Sequence, residues 1–136
     1  MYEIFEHTAD LGLRIRSGEL ARLFEEAGLA LFSVIATDLD SVRPREEVSF
    51  QLEADRYDDL LRDWLAELLY TFHARHLLLR HFDVEVRDTL LRATARGETF
   101  DESRHRLDAE VKAVTYHGLK VEREAEGWLA EVIVDI

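Results

Sequence analysis

The sequence of 136 residues predicts an α+β fold, with helices packed on mixed or antiparallel sheet. Three observations lead there. Several short runs alternate apolar and polar residues, two longer segments repeat apolar residues at helical spacing, and the order strand, helix, strand, strand occurs twice, one copy nested inside the other.

The first two strands are Tyr2 to Glu6 and Leu11 to Arg16, the second alternating Leu11, Leu13 and Ile15 with Gly12, Arg14 and Arg16. Ser17-Gly18 breaks the pattern. From Glu19 onward Leu20, Leu23, Phe24, Ala27, Ala30, Leu31, Val34 and Ile35 define a helix expected to end near Thr37, with Glu19, Glu25 and Glu26 toward the end that the helix dipole favours for acids. Asp38 to Pro44 contains the only proline and reads as a connection. A strand from Glu47 to Ala54 turns Val48, Phe50 and Leu52 to one side. Asp55, with Asp58 three residues on, is expected to cap a second helix. Leu60, Leu61, Trp64, Leu65, Leu68, Leu69 and Phe72 give that helix a face wide enough to require burial against a sheet. Strands at Phe82 to Arg87 and Leu90 to Ala95 follow, joined at Asp88-Thr89. A polar link from Glu98 to Leu107 leads to three more strands, Glu110 to Tyr116, Leu119 to Glu124 and Trp128 to Ile136. The expected organisation is a main module of residues 1–40 and 105–136, with residues 41–104 inserted as a second strand-helix-strand-strand module.

A chain of this size with 47% apolar residues buries a sizeable core without a metal or disulfide staple. There is no cysteine, which excludes thiolate metal sites and a cysteine nucleophile and fits a reducing compartment. Twenty-nine acidic against seventeen basic residues give a formal charge of −12, which repels nucleic acid and anionic membrane and attracts cations or a basic protein surface. No direct nucleic-acid binding is expected. With no leader-like or bilayer-spanning apolar run, a soluble cytoplasmic protein is the expectation, without a membrane partner.

The chemistry-bearing residues gather at two places. His7-Thr8-Ala9-Asp10 interrupts an apparent hairpin, and Asp135-Ile136 closes an apolar strand. If these segments lie side by side, the carboxylates of Asp10 and Asp135 and the terminal carboxylate of Ile136 meet, and three packed anions repel one another unless a hard cation sits between them. Oxygen-only ligation suits calcium or magnesium rather than zinc. The plainer alternative makes Asp10 an Asx-turn or capping residue and His7 a turn residue. Glu110 and Lys112 stand two apart on one predicted strand, where an ion pair competes with a functional role. His73, His76 and His81 lack a third convergent ligand. No phosphate-binding glycine loop and no Ser-His-Asp arrangement occurs.

"HTADLG", "RDWLAELLYTF", "EVKAVTYHGLKVE" and the closing "VIVDI" resemble, in order and spacing, the archease family, and the similarity runs across nearly the whole chain. The resemblance implies two strand-helix-strand-strand modules, one inserted in the other. It further implies a cofactor protein of RtcB-type RNA ligases in tRNA splicing and RNA repair, one that promotes the ligase's guanylylation and multiple turnover. The family's metal ligands fall on Asp10, Asp135 and Ile136, with calcium the first expectation for the divalent cation, ahead of magnesium or manganese. His7, Asp38, Glu110 and Lys112 match further polar positions, as second-sphere or ligase-contact residues, His7 chiefly as a turn organiser. Where many relatives carry Gly-Thr before the glutamate, this chain has Asp108-Ala109, so a hydroxyl role there is lost. Two other readings stay open: a stand-alone metal-dependent phosphoester hydrolase acting through Asp10 and Asp135, and a general chaperone or adaptor.

Overall fold

The computed structural model describes residues 1–136. In chain order it comprises β1 (Tyr2–His7), β2 (Asp10–Ser17), α1 (Leu20–Ile35), a 3-10 turn (Leu39–Ser41), β3 (Glu46–Glu53), α2 (Tyr57–Arg75), β4 (Leu77–Arg87), β5 (Leu90–Thr99), β6 (Ala113–Val114), β7 (Lys120–Glu124) and β8 (Gly127–Asp135). Every strand pairing is antiparallel. The larger sheet runs β1-β2-β8, and β8 is bordered on its other edge by both β6 and β7; the smaller runs β3-β5-β4.

Alternation decides which face each sheet buries. On the larger sheet Leu13 and Ile15 of β2 and Ala130, Val132 and Val134 of β8 are withdrawn from solvent, while Arg14, Arg16 and Glu131 point the other way. On the smaller sheet Leu91, Ala93 and Ala95 are buried between the partly buried rows of β3 and β4. The two helices lie between these faces. α1 touches β1, β2 and β8 on one side and β4 on the other, and α2 reaches β6 and β7 as well as β3 and β4. A helix covered on two sides needs more than one apolar stripe, and α1 buries Leu23, Phe24, Ala27, Ala30, Leu31, Phe32, Val34 and Ile35. One cluster of 30 buried residues spans both sheets and both helices. At its centre Trp64 of α2 stands edge-on to Phe50 and Phe82, at 5.4 and 6.1 Å, and donates its indole N–H to the Phe24 carbonyl of α1 at 2.9 Å.

The structure departs from the sequence reading in several places. His7 and Asp10 are strand residues, and only Thr8-Ala9 forms the turn. β4 begins at Leu77, directly after the left-handed C-cap His76 of α2, and β5 runs to Thr99, so Leu77 to Leu79 are strand and Glu98 is part of a strand rather than of a link. The expected Asp55 capping box is absent: Arg56 occupies the N-cap of α2 without a side-chain cap bond. Asp58 instead accepts the Val121 amide at 2.8 Å, a tertiary bond that outcompetes local capping. No acid lies in the first turn of α1. Of the strand expected from Glu110 to Tyr116 only Ala113–Val114 pairs as β6, because this segment bonds in turn to the end of α1, to α2 and to β8.

Candidate functional site

The hairpin of β1 and β2 closes with His7 paired to Asp10, the turn residue Thr8 sitting at φ 52° in the left-handed region. Next to it Leu11 of β2 pairs with Val134 of β8, and on the far edge of β8 Val114 pairs with Val134 and Ala113 with Asp135. One step beyond the Leu11–Val134 pair, Asp10 and Asp135 are therefore cross-strand neighbours at one end of the sheet, and paired residues of an antiparallel ladder project from the same face. The Lys112 amide donates to the Asp135 carbonyl at 2.7 Å and the Thr115 amide to that of Ile133 at 3.0 Å, so the end of β8 is held on both sides. Glu110 and Lys112 do not pair with each other; no ion pair joins them.

His7 is partly buried, its Nδ1 is shut away from solvent without a hydrogen-bond partner, and its ring centroid lies 5.1 Å from that of His117. His7 is paired with Asp10 across the hairpin, and its orphaned ring nitrogen is a group that a cation's bound water could satisfy. No three His, Asp or Glu side chains converge as a metal cluster. A cation here would need the two aspartates plus a main-chain oxygen, and Ile136 follows Asp135 directly; with no thiol available, that donor set suits a hard ion. Asp38 is placed elsewhere, at the entry of the 3-10 turn after α1, where its carbonyl accepts from Ser41. No hydrogen bond or ion pair joins Asp38 or Glu110 to Asp10 or Asp135.

The same face of the sheet carries a charged ladder further from the turn. Phe5 lies across Gly12, where an added Cβ would come within 2.1 Å of the ring, and Arg14 stacks over Phe5 at 4.4 Å. Arg14 bonds Glu3 and Glu131 at 3.1 and 2.8 Å, and Lys120 reaches Glu131 at 2.9 Å. Lys120 above all, with Arg14, holds the Glu131 carboxyl below its ordinary value against the effect of burial.

Sequence reasoning passed over a second polar centre. Glu98 and His105 are both buried. Oε2 of Glu98 accepts the Arg43 amide at 2.7 Å and approaches Nε2 of His105 at 3.1 Å, and Arg104 bonds Oε1. Because Nδ1 of His105 accepts the Asp101 amide at 2.8 Å, its proton sits on Nε2 and is donated to Glu98. This knot ties residues 37–45, which lead into the smaller sheet, to residues 99–107, which leave it. Glu98 follows an alternating strand and gives no local sign of burial; only the three-dimensional pairing reveals it. In the sequence His117 stands only as the residue before Gly118, with nothing local to tie it to His7.

The sequence profile of the Archease protein family matches residues 2–136. A protein archease of Methanopyrus kandleri is 42% identical over 139 residues, covering 99% of this chain and 99% of its own. In structure, the solution structure of Methanobacterium thermoautotrophicum protein 1598 superimposes with a TM-score of 0.83 at 34% identity, covering 99% of this chain and 98% of the other. A crystal structure of an archease from Thermotoga maritima, described as a possible chaperone, has the same fold, with a TM-score of 0.67 at 21% identity over 100% of this chain and 98% of that one.

Proposed function

The chain belongs to the archease family, and on that premise we propose that it is a cytoplasmic protein activator, not itself an enzyme, of an RtcB-type RNA ligase in tRNA splicing and RNA repair. It promotes guanylylation of the ligase and its multiple turnover. The single observation that favours this reading is the register that makes Asp10 and Asp135 neighbours at the end of the larger sheet. Those two carboxylates and the main chain of Ile136 hold a divalent cation, calcium ahead of magnesium or manganese. Such an ion, when bound, offsets phosphate charge where the guanylate is transferred. Asp10 and Asp135 orient it, the Lys112 amide keeps the end of β8 in place, and His7 fixes the turn beside it. Glu110, Lys112 and Asp38 serve as contacts to the ligase. The acidic surface speeds encounter with a cationic cleft by long-range steering, and no nucleic acid need touch this chain.

The test is ligase guanylylation and turnover with purified ligase, metal and this chain. Asp135→Ala is expected to abolish stimulation with its thermal unfolding unchanged, and one residue added after Ile136 to weaken it. Full stimulation by both variants overturns the reading; phosphoester hydrolysis by the chain alone would make it an enzyme instead. The description of the Thermotoga relative favours a chaperone as second reading, for which capture of many unrelated clients is the distinguishing result.

A further inference from the structure

Both helices finish in one groove. Ile35, the last residue of α1, and Phe72 and His73 from the last turn of α2 line a cleft of about 550 Å³ whose third wall is the segment Leu107 to Val111. Its floor is apolar, from Ile35, Phe72 and Val111, and its exposed rim carries Asp108 and Glu110. The segment is fastened to the helix ends: the Asp108 and Ala109 amides donate to the carbonyls of Ile35 and Val34 at 2.8 and 3.1 Å, and His73 Nε2 meets the Val111 carbonyl at 3.1 Å. Helix C-termini carry negative partial charge, α1 has no basic residue in its last turn, and neither Asp108 nor Glu110 forms an ion pair within the chain. The basic groups nearby are the His73 and His76 imidazoles in the lining and Arg75 in the last turn of α2, so an anionic ligand would set two rim carboxylates and two negative helix ends against these. A wholly apolar one would leave the rim carboxylates facing it without a partner.

We infer that this groove seats an arginine or lysine side chain presented by a partner protein, its aliphatic stem against Ile35, Phe72 and Val111 and its cationic head between Asp108 and Glu110 at the negative ends of both helices. The inference rests on the reading of the chain as a partner-binding protein, and it assigns the docking anchor to a groove separate from the Asp10 and Asp135 row. Exposed Leu107 extends the floor outward, giving the residues that flank the anchor an apolar footing.

The experiment titrates the nitrogen-15-labelled full chain with two short peptides, one with a central Leu-Arg-Leu and its twin with Leu-Glu-Leu, and measures the ligase affinity of the same variants. The arginine peptide is expected to shift the amides of Ile35, Phe72 and Val111, and Asp108→Asn with Glu110→Gln to weaken it about tenfold. Both substituted side chains are exposed, so the fold is retained, which an unchanged melting temperature checks. A matching loss of ligase affinity supports the groove as the docking anchor, and seating of the peptide by a chain that no ligase binds supports the groove while removing the ligase reading. Shifts scattered over the whole acidic surface, equal binding of the glutamate twin, or undiminished binding by the double variant overturns the proposal.

Discussion

Burial pushes the Glu98 carboxyl toward protonation, and three donors reverse it: the Arg43 amide, Arg104 and His105 together hold it at about 2, against an ordinary value of 4.5. A carboxyl whose native value is depressed adds stability that is complete above its unfolded value and fades as pH falls. The Glu98 contribution, of order 3 kcal/mol, should therefore be intact above pH 4.5 and disappear between pH 4.5 and about 2. Equilibrium urea unfolding across that window checks it, and Glu98→Gln should flatten that part of the profile while lowering stability at neutral pH. The same residue marks a limit of sequence reading. An acid at the close of an alternating strand looks like the start of a polar link, because its partners Arg43, Arg104 and His105 come from two separate connections. Asp10 and Asp135 were easier to single out, since each interrupts or ends an apolar run; their adjacency needed the pairing of Leu11 with Val134.

At the scale of elements, what the sequence reveals depends on how local the cause is. The alternation of β2 and β3, the apolar run of β8 and the broad face of α2 are read correctly because each follows from a local spacing of apolar residues. β4 is misjudged at its start, where a bulge between Leu79 and His81 breaks the alternation. The bulge brings the Leu78 carbonyl against Gly97 of β5, where a Cβ would lie 1.8 Å from that oxygen. Gly97→Ala should cost about 3 kcal/mol as the two strands part, read as a lower midpoint in denaturant. β6 is shorter than expected for the opposite reason. Its surrounding segment has regular apolar and polar spacing but serves three neighbours in succession, and a ladder of two residues is all that any one of them can share.

Across the whole molecule charge is unevenly spread. Residues 1–40 and 105–136 hold fifteen acids against seven bases, whereas residues 41–104 hold fourteen against ten. A partner with a cationic cleft should be drawn toward the larger sheet, and the association rate measured by stopped flow should fall about tenfold between low and high salt while the dissociation rate changes little. An unchanged association rate would remove steering from the account. The place of β8 has a consequence of another kind. It is the last strand in chain order, yet it lies inside the larger sheet, between β2 and the pair β6 and β7. While a ribosome is still delivering the chain, the sheet of β3, β5 and β4 can close, but β2 must wait with an open edge and α1 without its contact to β8. Handling of the nascent chain, rather than the stability of the finished one, is where a mutation in β1 or β2 would first be felt.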